Sequence, residues 1–238
     1  MSAAALPRLS PGNLLAPLLG GCLAAALLAL AVPRLMATTA LLKGDAALEL
    51  LQSGQEPTLE GIERLLRSRQ EALAWVPDAR SHFDLAGAFL ALSEANVRGS
   101  VTPEELRALA ERHLRAGLSL APADARAWQL LATAKLLQND PDEAARALVL
   151  SFKANPHAPY LGNARTTLGM LLWGRLDETT QARLRKEMYS TFRQNPSRTA
   201  QIALDTGGVT LLQDALKEHE QDQARLQRLL QKLRPAEN

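Results

Sequence analysis

A chain of 238 residues, 47% hydrophobic and 22% charged, holds one globular domain with room for an anchor. Its formal net charge of +2 argues against a nucleic-acid-binding domain, which carries a concentrated basic face. Cys22 is the single cysteine, which excludes an intramolecular disulfide and cysteine-rich zinc sites. The apolar residues are mostly Ala and Leu, with few aromatic or β-branched ones, and this composition predicts an all-α fold.

Residues 1–12 read as a short, Pro-containing tail. Residues 14–32 form an uncharged run, LLAPLLGGCLAAALLALAV. As a helix it spans about 28 Å, close to the hydrocarbon thickness of a bilayer. The expected element is a retained signal-anchor helix over 13–33, because the run exceeds the 7–15 residues of a signal-peptide core. Two alternatives stay open. Ala29-Leu30-Ala31 offers a signal-peptidase site, and Leu19-Gly20-Gly21-Cys22 resembles a lipobox. The positive-inside balance is nearly even, with Arg8 on one side and Arg34 and Lys43 on the other. A short tail before one early span stays cytoplasmic in signal anchors. The expectation is therefore a single-pass inner-membrane protein with its C-terminal part in the periplasm.

Pro33 interrupts the apolar run, and a helical pattern resumes over 35–51, where the helix can run on from the membrane segment with a kink at the proline. Residues 34–57 then form a juxtamembrane helix and linker. The 59–76 stretch is amphipathic, with Ile62, Leu65, Leu66, Leu73 and Trp75 as its apolar positions and an i,i+4 pair, Glu63 and Arg67. Val76-Pro77 ends it. The next helix, over 81–97, carries Phe83, Leu85, Ala86, Phe89 and Leu90. Thr102-Pro103-Glu104-Glu105 opens another with a capping box.

The clearest pattern lies between Ala125 and Pro156. Trp128, Leu131, Ala132 and Leu136 share one helical face, and Ala144, Ala147, Leu148 and Phe152 share another. Between the two, Asp140 is a helix cap, Pro141 suits the first helical position and Glu143 suits a capping box. Asn155-Pro156 stops the second helix. Beyond it, 160–173 and 178–192 read as helices, the latter capped by Asp177, and Asn195-Pro196 ends the pair. A short helix follows over 198–204. Thr206-Gly207-Gly208 is a break, and 209–233 reads as one long helix. His219 and Asp222 interrupt any heptad there.

Trp128, Leu131, Ala132, Ala144 and Pro156 stand in the order and spacing of a tetratricopeptide repeat (TPR), which the 125–156 hairpin resembles. Pro122 and Pro156 are 34 residues apart, the length of that repeat. Lys135 departs from the pattern where the repeat has an aromatic, with Leu136 beside it. Pro77 precedes Phe83 as Pro122 precedes Trp128. A second, degenerate repeat over 78–122 thus carries an insertion near 96–100. The resemblance implies a TPR-like array over 58–204, closed by a C-terminal helix within 205–238. It also implies that first helices line a concave groove, with Arg126, Gln129 and Thr133, and Ser81 and Asp84, facing it as partner-binding residues. Solvated polar positions are the alternative.

No reactive constellation is legible. His82, His113, His157 and His219 are far apart and lack metal-ligand spacing, so they read as surface or cap residues. Catalytic residues, metal ligands and cofactors are all expected to be none. Between 165 and 198, Arg165, Arg175, Arg183, Arg185, Lys186, Arg193 and Arg198 outnumber Asp177, Glu178 and Glu187. This surplus suits an anionic surface or glycan near Arg183, Arg185 and Lys186, or else is a solvated face. Anchored proteins of the TPR family serve polysaccharide export, cytochrome maturation and envelope assembly. The resemblance therefore implies a non-enzymatic adaptor or scaffold for envelope proteins. The alternative is a regulatory or chaperone-like subunit of a membrane glycan-assembly enzyme.

Overall fold

The computed structural model describes residues 11–53, 55, 57–95 and 101–233, with side chains from residue 18 onward. The described residues form twelve α-helices and two 3-10 turns, with no strand. Residues 1–10 of the expected tail and the 96–100 insertion lie outside them. The chain divides into two compact units, Met1–Pro77 and Asp78–Asn238.

The first unit contains α1 (Pro11–Leu42), α2 (Asp45–Ser53) and α3 (Leu59–Trp75). From 18 to 32 every side chain of α1 is exposed. The 25-residue stretch Leu18–Leu42, of mean hydropathy 2.0, is long and apolar enough to cross a membrane. The helix runs on through Pro33, but it ends at Leu42 rather than continuing to 51. A proline removes one amide donor, and an otherwise strongly helical run tolerates that loss. The chain breaks ten residues later, at Lys43 and Gly44, where the Gly44 amide donates to Leu41 O at 3.0 Å. Ala40 is buried and Pro33 and Ala37 are half-buried, so the end of α1 acquires one covered face where it packs on α3.

Arg69 of α3 holds this corner. It is 1% exposed, and its guanidinium donates to Leu41 O at 2.6 Å and to Asp45 Oδ1 at 2.7 Å. One cation thus satisfies a carbonyl at the end of α1 and the carboxylate that opens α2. The sequence placed α3 at the start of the 58–204 domain; in the structure it packs on α1 and α2 within the first unit. The expected pair Glu63–Arg67 forms, at 3.8 Å, and α3 ends at Trp75 before Val76-Pro77.

The second unit begins with two helix pairs, α4 (Ala79–Glu94) with α5 (Pro103–Leu120) and α6 (Ala125–Leu137) with α7 (Pro141–Ala154). Thr102 and Glu105 make the reciprocal capping box expected of α5. Asp140 caps α7 by accepting from the Glu143 amide at 3.2 Å. The Glu143 carboxylate turns instead to Arg146, at 2.7 Å. Asn139 takes φ 60° in the turn, a left-handed conformation that asparagine tolerates. Ala144, Ala147, Leu148 and Phe152 are buried as the periodicity predicts. On α6, Leu131 and Ala132 are buried, but Trp128 and Leu136 are only half-covered. The indole Nε1 of Trp128 donates to Pro122 O at 2.8 Å, which holds the ring over the helix start. Lys135, at the position the repeat gives to an aromatic, reaches Glu111 of α5 at 2.8 Å in a largely buried pair.

Beyond Asn155-Pro156 come the turn Pro159–Leu161, α8 (Gly162–Leu171), the turn Trp173–Arg175, α9 (Glu178–Gln194) and α10 (Pro196–Asp205). Asp177 caps α9, accepting from the Thr180 amide at 2.8 Å. Asn195 ends α9 and caps α10. The single long helix expected over 209–233 is two, α11 (Val209–Ala215) and α12 (Glu220–Leu233). The His219 amide donates to Leu216 O at 2.8 Å in a tight turn between them. The bend lets α11 pack on α9 and α12 on α10, burying Leu212, Leu216, Leu226 and Leu230 together.

Small residues set the helix spacings. A Cβ added at Gly169 of α8 would overlap Leu184 of α9, a side chain with no exposed surface. Gly169→Ala should therefore destabilise the protein by about 1–3 kcal/mol. Leu184→Ala should cost less in the Gly169→Ala chain than in the wild type, and a thermal-melt double-mutant cycle measures the coupling. Trp128→Ala should cost ~1–2 kcal/mol, a partly covered ring and one hydrogen bond. A loss of about 3–5 kcal/mol would instead mean full burial.

Candidate functional site

The residues assigned to the groove do not share an exposed face. Ser81, Asp84 and Gln129 are 1%, 3% and 7% exposed, and only Arg126 and Thr133 retain substantial access. Ser81 Oγ donates to Asp78 Oδ2 at 2.8 Å, within the cap of α4. Gln129 Nε2 donates to Thr133 Oγ1 at 3.1 Å. The physical reason is crowding around α6, which touches α4, α5, α7 and α8. Ala125, Ala127, Ala132 and Ala134 are all buried, and alanines around the helix allow approach from several sides. A polar face between such small residues closes over. The Ala-rich ADARAWQLLATA stretch was the available signal for this.

His82 and His113, distant in sequence, meet across α4 and α5. Their Nδ1 atoms lie 2.9 Å apart, so one ring donates and the other accepts. Phe89 stacks on His113 with centroids 5.7 Å apart. Burial lowers the pKa of His82 below its ordinary value, opposed by Asp78. Burial also lowers that of His113, with His82 and Arg112 adding to it. The expectation of separate surface or cap histidines is corrected here: a shared helix interface pairs them. Among the described residues, no group of three or more His, Cys, Asp or Glu is placed to hold a metal ion.

The basic surplus of 165–198 sorts into two classes. Arg165 is fully buried, which removes it from any anionic surface. Its Nη2 donates to Ser151 O at 2.6 Å and Asn155 O at 2.9 Å. Its guanidinium lies 4.5 Å from the Phe152 ring centroid, and Nη1 is 3.9 Å from Glu187 Oε1. Burial lowers the Arg165 pKa, and Glu187 opposes the shift. Burial raises that of Glu187 against the pull of Arg165 and His157. Arg175 pairs with Asp142 at 3.0 Å and Arg193 with Asp222 at 3.4 Å. Arg185 pairs with Asp214 at 2.8 Å and covers the Trp173 ring. Arg183, Lys186 and Arg198 are exposed and, among the described residues, make no ion pair; Arg198 lies on α10, and the other two face one cleft.

These two unpaired cations line a half-open cleft of about 390 Å³, within the size range of ligand pockets. One wall is the outer face of α9, where Arg183, Lys186, Ser190 and Gln194 follow helical spacing. The other is the end of α7 and the Pro156–Pro159 link, supplying Phe152 and the two prolines. The geometry offers charge and an apolar wall, and no nucleophile paired with a base. Sequence reasoning found Arg183 and Lys186 but not the apolar wall, which comes from residues about 30 positions earlier.

No protein-family model matches the chain, and no curated protein matches it. The fold and the geometry thus define an all-helical protein with one N-terminal apolar helix.

The histidine pair sets a pH dependence with a definite sign. Both folded-state pKa values lie below the ordinary 6.5, so the unfolded chain takes up protons first. Above 6.5 neither state is charged and stability is level. As pH falls below it, stability is lost progressively. Glu187 contributes oppositely, since its raised pKa favours the folded state below its ordinary 4.5. Melting temperature should fall between pH 7.5 and 5.5, and His113→Asn should flatten that slope.

Proposed function

We propose that the protein is a membrane-anchored helical adaptor. In this reading α1 is a retained signal anchor in the inner membrane, and the helical pairs from α4 onward form a TPR-like platform in the periplasm for envelope proteins. The observation that carries it is the exposed apolar α1 joined to a chain of helical pairs. An exposed apolar helix of this length is stable in a bilayer and costly in water. The spacing of Pro122 and Pro156 supports the repeat assignment. The half-exposed Arg126 and Thr133 remain candidate partner contacts, whereas Gln129, Ser81 and Asp84 support the interior.

Two measurements test this. The full-length protein should stay in the membrane pellet after an alkaline carbonate wash, with its N-terminus intact by mass spectrometry. A mature start at Val32, or a lipid on Cys22, would replace the anchor. Partner recovery from a detergent extract should fall at least tenfold in Arg126→Glu/Thr133→Glu, with an unchanged circular dichroism spectrum. An unchanged partner list would remove the α6 surface from the proposal.

A further inference from the structure

Several cations of α9 and its neighbours are held by acids, and those that line the cleft are not. Arg175, Arg185 and Arg193 each hold an aspartate, and buried Arg165 faces Glu187. Arg183 and Lys186, three residues apart on one helical face, are exposed and unpaired, and both line the same cleft. Glu187, which also lines the cleft, is 13% exposed and lies 3.9 Å from Arg165, and it makes no ion pair with either of them. Phe152, Pro156 and Pro159 close the opposite side. Pro156 and Pro159 have no amide hydrogen, so His157 is the one polar side chain on a wall that is otherwise apolar.

We infer that the cleft between α9 and the Pro156–Pro159 link binds an acidic peptide segment of a partner protein, one that alternates carboxylate and apolar side chains. The carboxylates sit against Arg183 and Lys186, and the apolar side chain lies on the proline wall. Ser190 and Gln194, further along the same face, supply hydrogen bonds to the peptide backbone. A polysaccharide fits less well. Phe152 is 1% exposed, so it offers no ring face for a sugar, and His157 is the one polar side chain that the link wall contributes. Two surface cations also favour rapid, salt-sensitive capture of an acidic chain. The inference rests on the adaptor reading and names one docking surface for it.

The test uses the full-length protein in detergent and a fluorescent octapeptide of alternating Asp and Leu. The wild type should bind it saturably, and raising salt from 50 to 500 mM should weaken binding. Replacing Asp with Asn in the peptide should weaken binding at least tenfold. Arg183→Glu/Lys186→Glu should lose the acidic peptide by the same factor and gain a Lys-Leu octapeptide, with its melting temperature unchanged because both side chains are exposed. Equal binding of the Asn peptide, or of the acidic peptide by the variant, would overturn the inference. So would binding of heparin or phosphatidylglycerol vesicles that depends on Arg183 and Lys186 without peptide binding, since that assigns the cations to a glycan or a lipid. Loss of partners only with the α6 variant would sink the cleft and keep the adaptor. Retention of every partner by both variants would sink the adaptor reading itself.

Discussion

The buried Arg165 guanidinium is the constraint on which the centre of the second unit depends. Pro156 ends α7 abruptly, where the Asn155 amide still donates to Ser151 O at 3.2 Å. Arg165 enters from α8 and adds donors to Ser151 O and Asn155 O. It also donates to Ser151 Oγ at 3.1 Å, and that hydroxyl donates onward to Ala125 O at 2.7 Å. One side chain therefore ties α8 to the end of α7 and the start of α6, while Glu187 brings in α9. A charge with no exposed surface is costly to desolvate, and only this number of acceptors offsets the cost. The position is also specific: lysine has no planar fork to span three acceptors and lie over Phe152.

Arg69 does the same work in the first unit, donating to Leu41 O and Asp45. In both units an arginine from a later helix adds a donor to a carbonyl near a helix end that also accepts a backbone amide, Leu41 O from Gly44 and Ser151 O from Asn155. The solution suits a chain rich in Ala and poor in aromatics. Small side chains bring backbones close, as Gly169 does against Leu184. Little bulk then remains to shield the exposed carbonyls at helix ends, and a long buried cation both fills the space and satisfies them.

This arrangement also bears on function. Once the structural arginines are set aside, the basic surplus of 165–198 reduces to a few side chains. Arg183 and Lys186 stand out because they are unpaired and share a cleft with an apolar wall. Their neighbour Arg185, one helical step away, is spent on Asp214 and Trp173. Conversely, polar residues that resemblance assigns to a groove, such as Ser81 and Gln129, complete caps and side-chain hydrogen bonds inside the helix stack.

Much of the local structure was legible because its causes are local. Thr102 with Glu105, Asp140 with Pro141, and the Asn-Pro ends at 155 and 195 act within a few residues, and the helices start and stop where these signals stand. The all-helical class followed from composition, and the apolar helix from an uncharged run, although its end at Leu42 did not. What the sequence left undetermined involves partners distant along the chain. Periodicity marks one apolar face per helix, so it missed that α6 is covered on several sides, burying Gln129 and leaving Trp128 half-exposed. It could not pair His82 with His113, bend the chain at Leu216 to His219, or separate Arg165 from Arg183. Two arginines in one basic segment read alike as letters. Only tertiary packing decides which of them is buried at the end of a helix and which faces water.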